Sequence, residues 1–210
     1  MIKSLAGARH AVLAVFCTAL ALSPSTPAHA AVPDDNITLE VVAYNGSGCA
    51  PGTATAIANS DRTGFRLRYS DFVAEAGGSA GPTARRKNCQ VGVQVTIPDG
   101  WTFAVAEATY RGRARLQAGA TALQRTNYYW QGTSGNNSSD ETFSGPLFGY
   151  WETNDYAPVL VYAPCGERRV LNINTELRVD AGTATARSSM SMRSSEGDVD
   201  TLFNVSWQRC

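Results

Sequence analysis

The stretch "NCQVGVQVTI", residues 88–97, sorts its side chains by parity. Cys89, Val91, Val93, Val95 and Ile97 fall on one side, and Asn88, Gln90, Gln94 and Thr96 on the other. Successive side chains of an extended strand point to opposite faces, so a two-residue period marks a strand with one dry and one wet face. "VLNINTELRV" (170–179) repeats it through Leu171, Ile173, Leu177 and Val179, and "DTLFNVSW" (200–207) through Phe203, Val205 and Trp207. Weaker runs of the same kind are "ITLEVVA" (37–43), "FRLRYS" (65–70), "TALQRTNYYW" (121–130), "PVLVYA" (158–163) and "TARSSMSM" (185–192). No window carries a helical period. Turn-forming clusters separate the runs, among them "NGSGCAPG" (45–52), "AGGSAGP" (76–82), "PDG" (98–100) and "SGNNSSD" (134–140). Short strands with such breaks predict an all-β chain folded as a single antiparallel β-sandwich, jelly-roll or immunoglobulin-like.

One run is too long for a flat strand. "WTFAVAEATYRGRARL" (101–116) would extend about 53 Å at about 3.3 Å per residue, more than such a domain is wide. A bulge or bend is expected near residues 107–112, with Gly112 as one site, and the parity of Phe103 and Val105 need not carry past it. The end of the run, "YRGRARL" (110–116), places Arg111, Arg113 and Arg115 on one face. If acids such as Glu176 lie opposite, the row is ordinary wet sheet surface. If it stands unpaired beside an exposed ring, it is the best candidate for gripping an anionic partner, and Arg66 and Arg68 could join it.

Residues 1–30 combine a basic start (Lys3, Arg9), the apolar run "AVLAVFCTALAL" (11–22) and "AHA" (28–30), the pattern of a cleaved secretory signal. The apolar run is shorter than the roughly twenty residues a bilayer span needs. Residues 31–210 are then one exported β-sandwich domain. Removing the signal takes two of the 18 basic side chains and none of the 18 acidic ones, so the remainder is slightly acidic. That balance argues against nucleic acid as a partner. Both histidines, His10 and His29, also lie in the signal. Without them, Ser-His-Asp, Cys-His and histidine-metal chemistry are excluded. Cys49, Cys89, Cys165 and Cys210 remain, an even number in an exported chain, so two disulfides are expected. Three pairings are possible. Cys49–Cys89 with Cys165–Cys210 is favoured because each bridge then staples a separate half, closing a loop that the chain-entropy model values at roughly 4 kcal/mol.

Several constellations compete with blander readings. "GGSAG" (77–81) spells a nucleophile elbow around Ser79, but it lies in a glycine-rich loop with no histidine to take the proton. Glu152 and Asp155 in "YWETND" could form the carboxylate pair of a glycosidase, with neighbouring rings suited to a sugar, or could simply lie in an aromatic loop edge. Glu196, Asp198 and Asp200 in "EGDVD" could converge on calcium, though a solvated turn is the simpler account. Tyr128 and Trp130 share one face of "TNYYWQG" (126–132), where they could stack on a ligand together with Trp151 or pack in the core. Acceptor sequons occur at Asn36, Asn45, Asn136, Asn137 and Asn204. No cofactor is implied.

An ordered set of short motifs adds a resemblance: "GSGC" (46–49), "RKNCQ" (86–90), "YRG" (110–112), "SGPL" (144–147), "PCG" (164–166), "LNINT" (171–175) and "WQRC" (207–210). Together they resemble the secreted family described as domain of unknown function 4360, known from fungi and bacteria. The resemblance implies a secreted β-rich domain with these four cysteines, and no catalytic residue. In that family proline directly follows the first cysteine, whereas Ala50 precedes Pro51 here. The functional expectation is a non-catalytic extracellular module that binds a polysaccharide or another cell-surface component through Arg111, Arg113, Arg115, Tyr128, Trp130 and Trp151. A coat or matrix protein and a secreted carbohydrate-active hydrolase are the alternatives. N-terminal sequencing of the exported protein should begin at Ala31; a product still starting at Met1 would contradict the signal assignment.

Overall fold

The computed structural model describes residues 31–193 and 200–210, so residues 1–30, with the expected signal, lie outside the described part. Two antiparallel sheets pack face to face. One orders β1 (Thr38–Asn45), β5 (Arg86–Thr96), β10 (Arg169–Asp180), β7 (Thr121–Trp130) and β8 (Asn137–Ser144). The other orders β2 (Ala54–Ala58), β3 (Gly64–Tyr69), β12 (Thr201–Arg209), β6 (Trp101–Leu116), β11 (Ser188–Ser191) and β4 (Val73–Ala76). A further strand, β9 (Leu147–Tyr156), pairs with β6 along its other edge. Among the described residues the only helical turn is the short 3-10 segment Pro82–Arg85.

The alternation that predicts the strands also builds the core. Cys89, Val91, Val93 and Val95 of β5 and Leu171, Ile173, Leu177 and Val179 of β10 are buried against the second sheet. At its centre Phe203 of β12 stacks on Phe65 at 4.8 Å and meets the edges of Tyr128 and Tyr110. Phe103 bridges Trp130 and Trp207, each at 5.4 Å. Such edge-on pairs add about 0.5–1.5 kcal/mol each beyond the area they bury. A polar string crosses this core, in which Gln124 Nε2 donates to Thr126 Oγ1 at 2.8 Å and the Thr126 and Tyr69 hydroxyls both approach Thr175. The cysteines pair as Cys49–Cys89 and Cys165–Cys210. Beside the first bridge, Ala50 O accepts from Thr53 N at 3.0 Å, and Gly52 takes φ 83°, closing a tight turn with Pro51 that tolerates the inserted alanine.

Strand β6 bends where its register slips. Asn204 pairs with Glu107 but Val205 with Val105, so Ala106 is an extra residue, one position before the expected 107–112. Phe103 and Val105 face the core before it, and Ala108, Tyr110, Gly112, Ala114 and Leu116 after it. Gly112 marks a close approach rather than the bulge: a methyl there would lie 2.1 Å from Ser191 O and 2.4 Å from the Trp151 ring.

Three segments differ from their sequence expectation. "SGNNSSD", expected as a turn, runs into β8, whose polar alternation hides a strand because it forms a sheet edge. "YWETND", expected as a loop edge, lies within the edge strand β9. "PVLVYA" is not a strand, yet it covers the end of β6 irregularly, with Ala163 N donating to Phe103 O at 3.1 Å and Thr102 Oγ1 to Ala163 O at 2.6 Å. Gly112→Ala should lower unfolding stability by about 1–3 kcal/mol in urea titration, since neither the backbone oxygen nor the enclosed indole can yield cheaply. A wild-type midpoint would show that Trp151 does not press on Gly112.

Candidate functional site

Pairing between β6 and β9 sets the arginine row beside a second row of side chains. Arg111 stands opposite Glu152, Arg113 opposite Tyr150 and Arg115 opposite Phe148. On the other flank β11 presents Ser191 to Arg113 and Ser189 to Arg115. Because β6 changes parity at Ala106, all three guanidinium groups point away from the core. Arg111 Nε donates to Glu152 Oε2 at 2.6 Å. Arg113 lies over the Tyr150 ring, 4.0 Å from its centroid, and Nη2 donates to the Tyr150 hydroxyl. Among the described residues, no carboxylate forms an ion pair with Arg113 or Arg115. The row therefore carries three cations and one directly opposed acid.

Two rings beside this row are exposed, Phe148 and Tyr150 at 60% each, and Tyr156, opposite Glu107 farther along β9, is exposed at 70%. A groove of about 310 Å³ runs over Arg113, Arg115, Phe148 and Ser189, and a more open depression of about 450 Å³ lies over Arg111, Tyr150 and Glu152. Phe148 carries no expectation from sequence as a ligand contact, whereas Tyr150 and Tyr156 are among the rings flanking Glu152 and Asp155 that suit a sugar. Their signal is the alternation in "LFGYWETNDY" (147–156), where Phe148 and Tyr150 share the parity of Glu152 and Trp151 takes the other.

The other sequence candidates lie elsewhere. Tyr128 and Trp130 are buried, the indole Nε1 of Trp130 donating to Val161 O at 3.1 Å, and Trp151 packs inward against Gly112 and Phe143. These three rings are core because β7 and β9 turn that parity toward the opposite sheet. Arg68 grips Asp200 through two hydrogen bonds of 3.0 and 3.1 Å, and Arg66 lies 3.8 Å from the same carboxylate. Asp200 is thereby engaged with guanidinium groups instead of offering itself to calcium, while Glu196 and Asp198 lie outside the described residues. Among the described residues no three His, Cys, Asp or Glu side chains gather as a metal cage, and no helix is long and apolar enough to cross a membrane. Glu176 belongs to the other sheet, where it accepts from Arg86 and Arg178. Of the sequons, Asn137 is buried and Asn204 donates to Glu107, whereas Asn45 and Asn136 are exposed.

The two acids of "YWETND" are not brought together. Glu152 faces outward with the arginines, and Asp155, of opposite parity on β9, faces the space between the sheets. A carboxylate pair must flank one bond of one substrate, which this arrangement does not allow. Asp155 Oδ2 is enclosed without a hydrogen-bond partner among the described residues. Burial, with a smaller push from the negative charge of Glu141, holds the Asp155 carboxyl above the usual carboxylate range.

That shift has a definite sign. A carboxyl whose pKa rises on folding costs stability when ionised, and the cost fades as pH falls through the raised value toward the ordinary carboxyl range. Asp155→Asn should therefore raise the melting temperature at neutral pH, with the gain shrinking in acid. An equal or lower Tm at neutral pH would count against a strained Asp155.

The chain is similar to an uncharacterized secreted protein of Arthroderma benhamiae, 33% identical over 181 residues that make up 85% of this chain and 74% of that protein. Residues 35–210 match the family described as Domain of unknown function (DUF4360). With nearly all of the described residues inside the match, the chain belongs to this family, and its two bridges fit the extracellular setting that the relative's name gives for that protein.

Proposed function

We propose that residues 31–210 act as one exported, non-catalytic binding module, released by removal of residues 1–30, whose arginine and aromatic face takes an acidic polysaccharide. The observation that carries this reading is the alignment of Arg113 and Arg115 with exposed Tyr150 and Phe148 across one strand pair. Guanidinium groups offer planar paired donors to carboxylate or sulfate, and the rings offer flat surface to the C–H faces of sugars. The Arg111–Glu152 pair does not block such a ligand. Exposed ion pairs are worth about 0.2–1 kcal/mol, so a polymer carboxylate can exchange for Glu152 at little cost. A strand row also suits a repeating polymer, because its charges recur at about 6.6 Å, twice the rise per residue.

The test is affinity electrophoresis of the mature protein through gels containing polygalacturonate, with and without added salt. Retention should fall with salt, drop at least about tenfold in the Arg113→Ala, Arg115→Ala double variant at unchanged Tm, and fall again in Phe148→Ala. Retention untouched by both variants, or none for the wild type, would overturn the assignment and leave a structural coat or matrix role.

A further inference from the structure

The opposite side of the sandwich is built on a different chemistry. In the sheet β1-β5-β10-β7-β8, registers line up Asn45, Gln90, Asn174, Asn127 and Ser138 in one row across all five strands. The adjacent row reads Asn88, Glu176, Arg125 and Asp140, and the one on the other side Gly92, Asn172 and Tyr129. All alternate with the buried residues of β5, β10 and β7, so they belong to the outward face. The amides are linked: Asn174 Nδ2 donates to Asn127 Oδ1 at 3.3 Å, and Asn127 Nδ2 to Asn136 Oδ1. A depression of about 240 Å³ opens over this region, lined by Asn88, Gln90, Asn127 and Asn174 together with Glu176, Arg86 and Arg125.

The charges of this face are already engaged with one another. Glu176 accepts from Arg86 and Arg178, and Arg125 Nε donates to Asp140 at 2.7 Å. Burial alone would raise the Glu176 pKa, but the two guanidinium groups outweigh it and hold the carboxyl below its usual range. Glu176 thus stays ionised with its oxygens shared between Arg86 and Arg178, and with the Arg125–Asp140 pair three guanidinium groups face two carboxylates. Among the described residues no exposed large apolar side chain belongs to β5, β10, β7 or β8, and Val42, at the bulge of the edge strand β1, is the one such side chain of this sheet. A hydrophobic protein partner or a lipid surface therefore finds only this single edge side chain as an anchor, and an ionic polymer finds few uncompensated charges.

What remains available is neutral amide chemistry. Each Asn or Gln side chain carries two N–H donors and a carbonyl acceptor, which suits vicinal hydroxyls that both give and accept hydrogen bonds. We infer that the outward face of this sheet, centred on Gln90, Asn127 and Asn174, binds a neutral, hydroxyl-rich polysaccharide. The site does not depend on the arginine face, and because the two lie on opposite sides of the sandwich, occupancy of one leaves the other open.

Affinity electrophoresis of the mature protein in high salt, through gels of soluble β-glucan or galactomannan, tests this site. High salt removes the electrostatic contribution of the arginine face. The wild type should be retarded by a neutral polymer, and Asn127→Ala, Asn174→Ala should weaken that retardation about tenfold, the loss expected for one to two hydrogen bonds. Asn88→Ala, on the rim and outside the amide chain, serves as a second variant if the double change lowers Tm. Arg113→Ala, Arg115→Ala should leave neutral retention intact, and the amide variants should leave polygalacturonate retention intact. No retardation by either neutral polymer, or a loss in the arginine variant instead, would overturn the inference while leaving the acidic-polymer reading to stand or fall separately.

Discussion

The single extra residue at Ala106 of β6 is the constraint on which both sides of the molecule depend. Upstream of it Phe103 and Val105 fill the core from odd positions; downstream the core is filled from even ones, by Tyr110, Ala114 and Leu116. Had the odd parity continued, Arg111, Arg113 and Arg115 would have been driven between the sheets, into the apolar core. Burying an unpaired charge costs several kcal/mol even after relaxation, so three would exceed the net stability of most domains. The bulge removes that conflict by one backbone step, and it bends a strand too long for a flat sheet.

β6 is also longer than any of its partners, and the fold answers this with several of them. β12 covers residues 101–109 on one edge and β11 residues 113–115, while β9 follows residues 107–116 on the other. The segment 157–163 covers the remaining end without forming a strand, and the Cys165–Cys210 bridge ties the chain just beyond it to the end of β12. β9 is left as an edge strand, and an edge carrying exposed rings is a liability unless it is blunted or used. The glutamate and the adjacent arginines blunt it electrostatically, and they also form the candidate binding face.

The two outward faces solve the same problem of a wet sheet in opposite ways. On the sheet of β5, β10 and β7, each guanidinium group around Glu176 has a carboxylate, Arg86 and Arg178 sharing that of Glu176, and amides fill the space between. On the face of β6 and β9, cations outnumber opposed acids and rings stand among them. The difference arises from which residues register places side by side. Glu176 and the arginine row could have neutralised each other in another topology, but they lie on different sheets.

Much of this was legible in the residues. The two-residue period of β5, β10 and β12 requires strands with one dry face, because side chains alternate with the pleat. Residues 31–210 hold four cysteines, a number that suits two bridges, and no histidine, so histidine-dependent chemistry finds no side chain there. Edge strands were harder to read, since β8 buries too little on either face to show apolar alternation. What the sequence by itself determined is that each strand has two distinct faces and which residues share one. Only the tertiary structure decided which face is covered: it turned Tyr128, Trp130 and Trp151 inward and left Phe148, Tyr150 and Tyr156 out, and it parted Glu152 from Asp155. The physical reason is that burial belongs to the opposing sheet and the register, which no strand encodes alone.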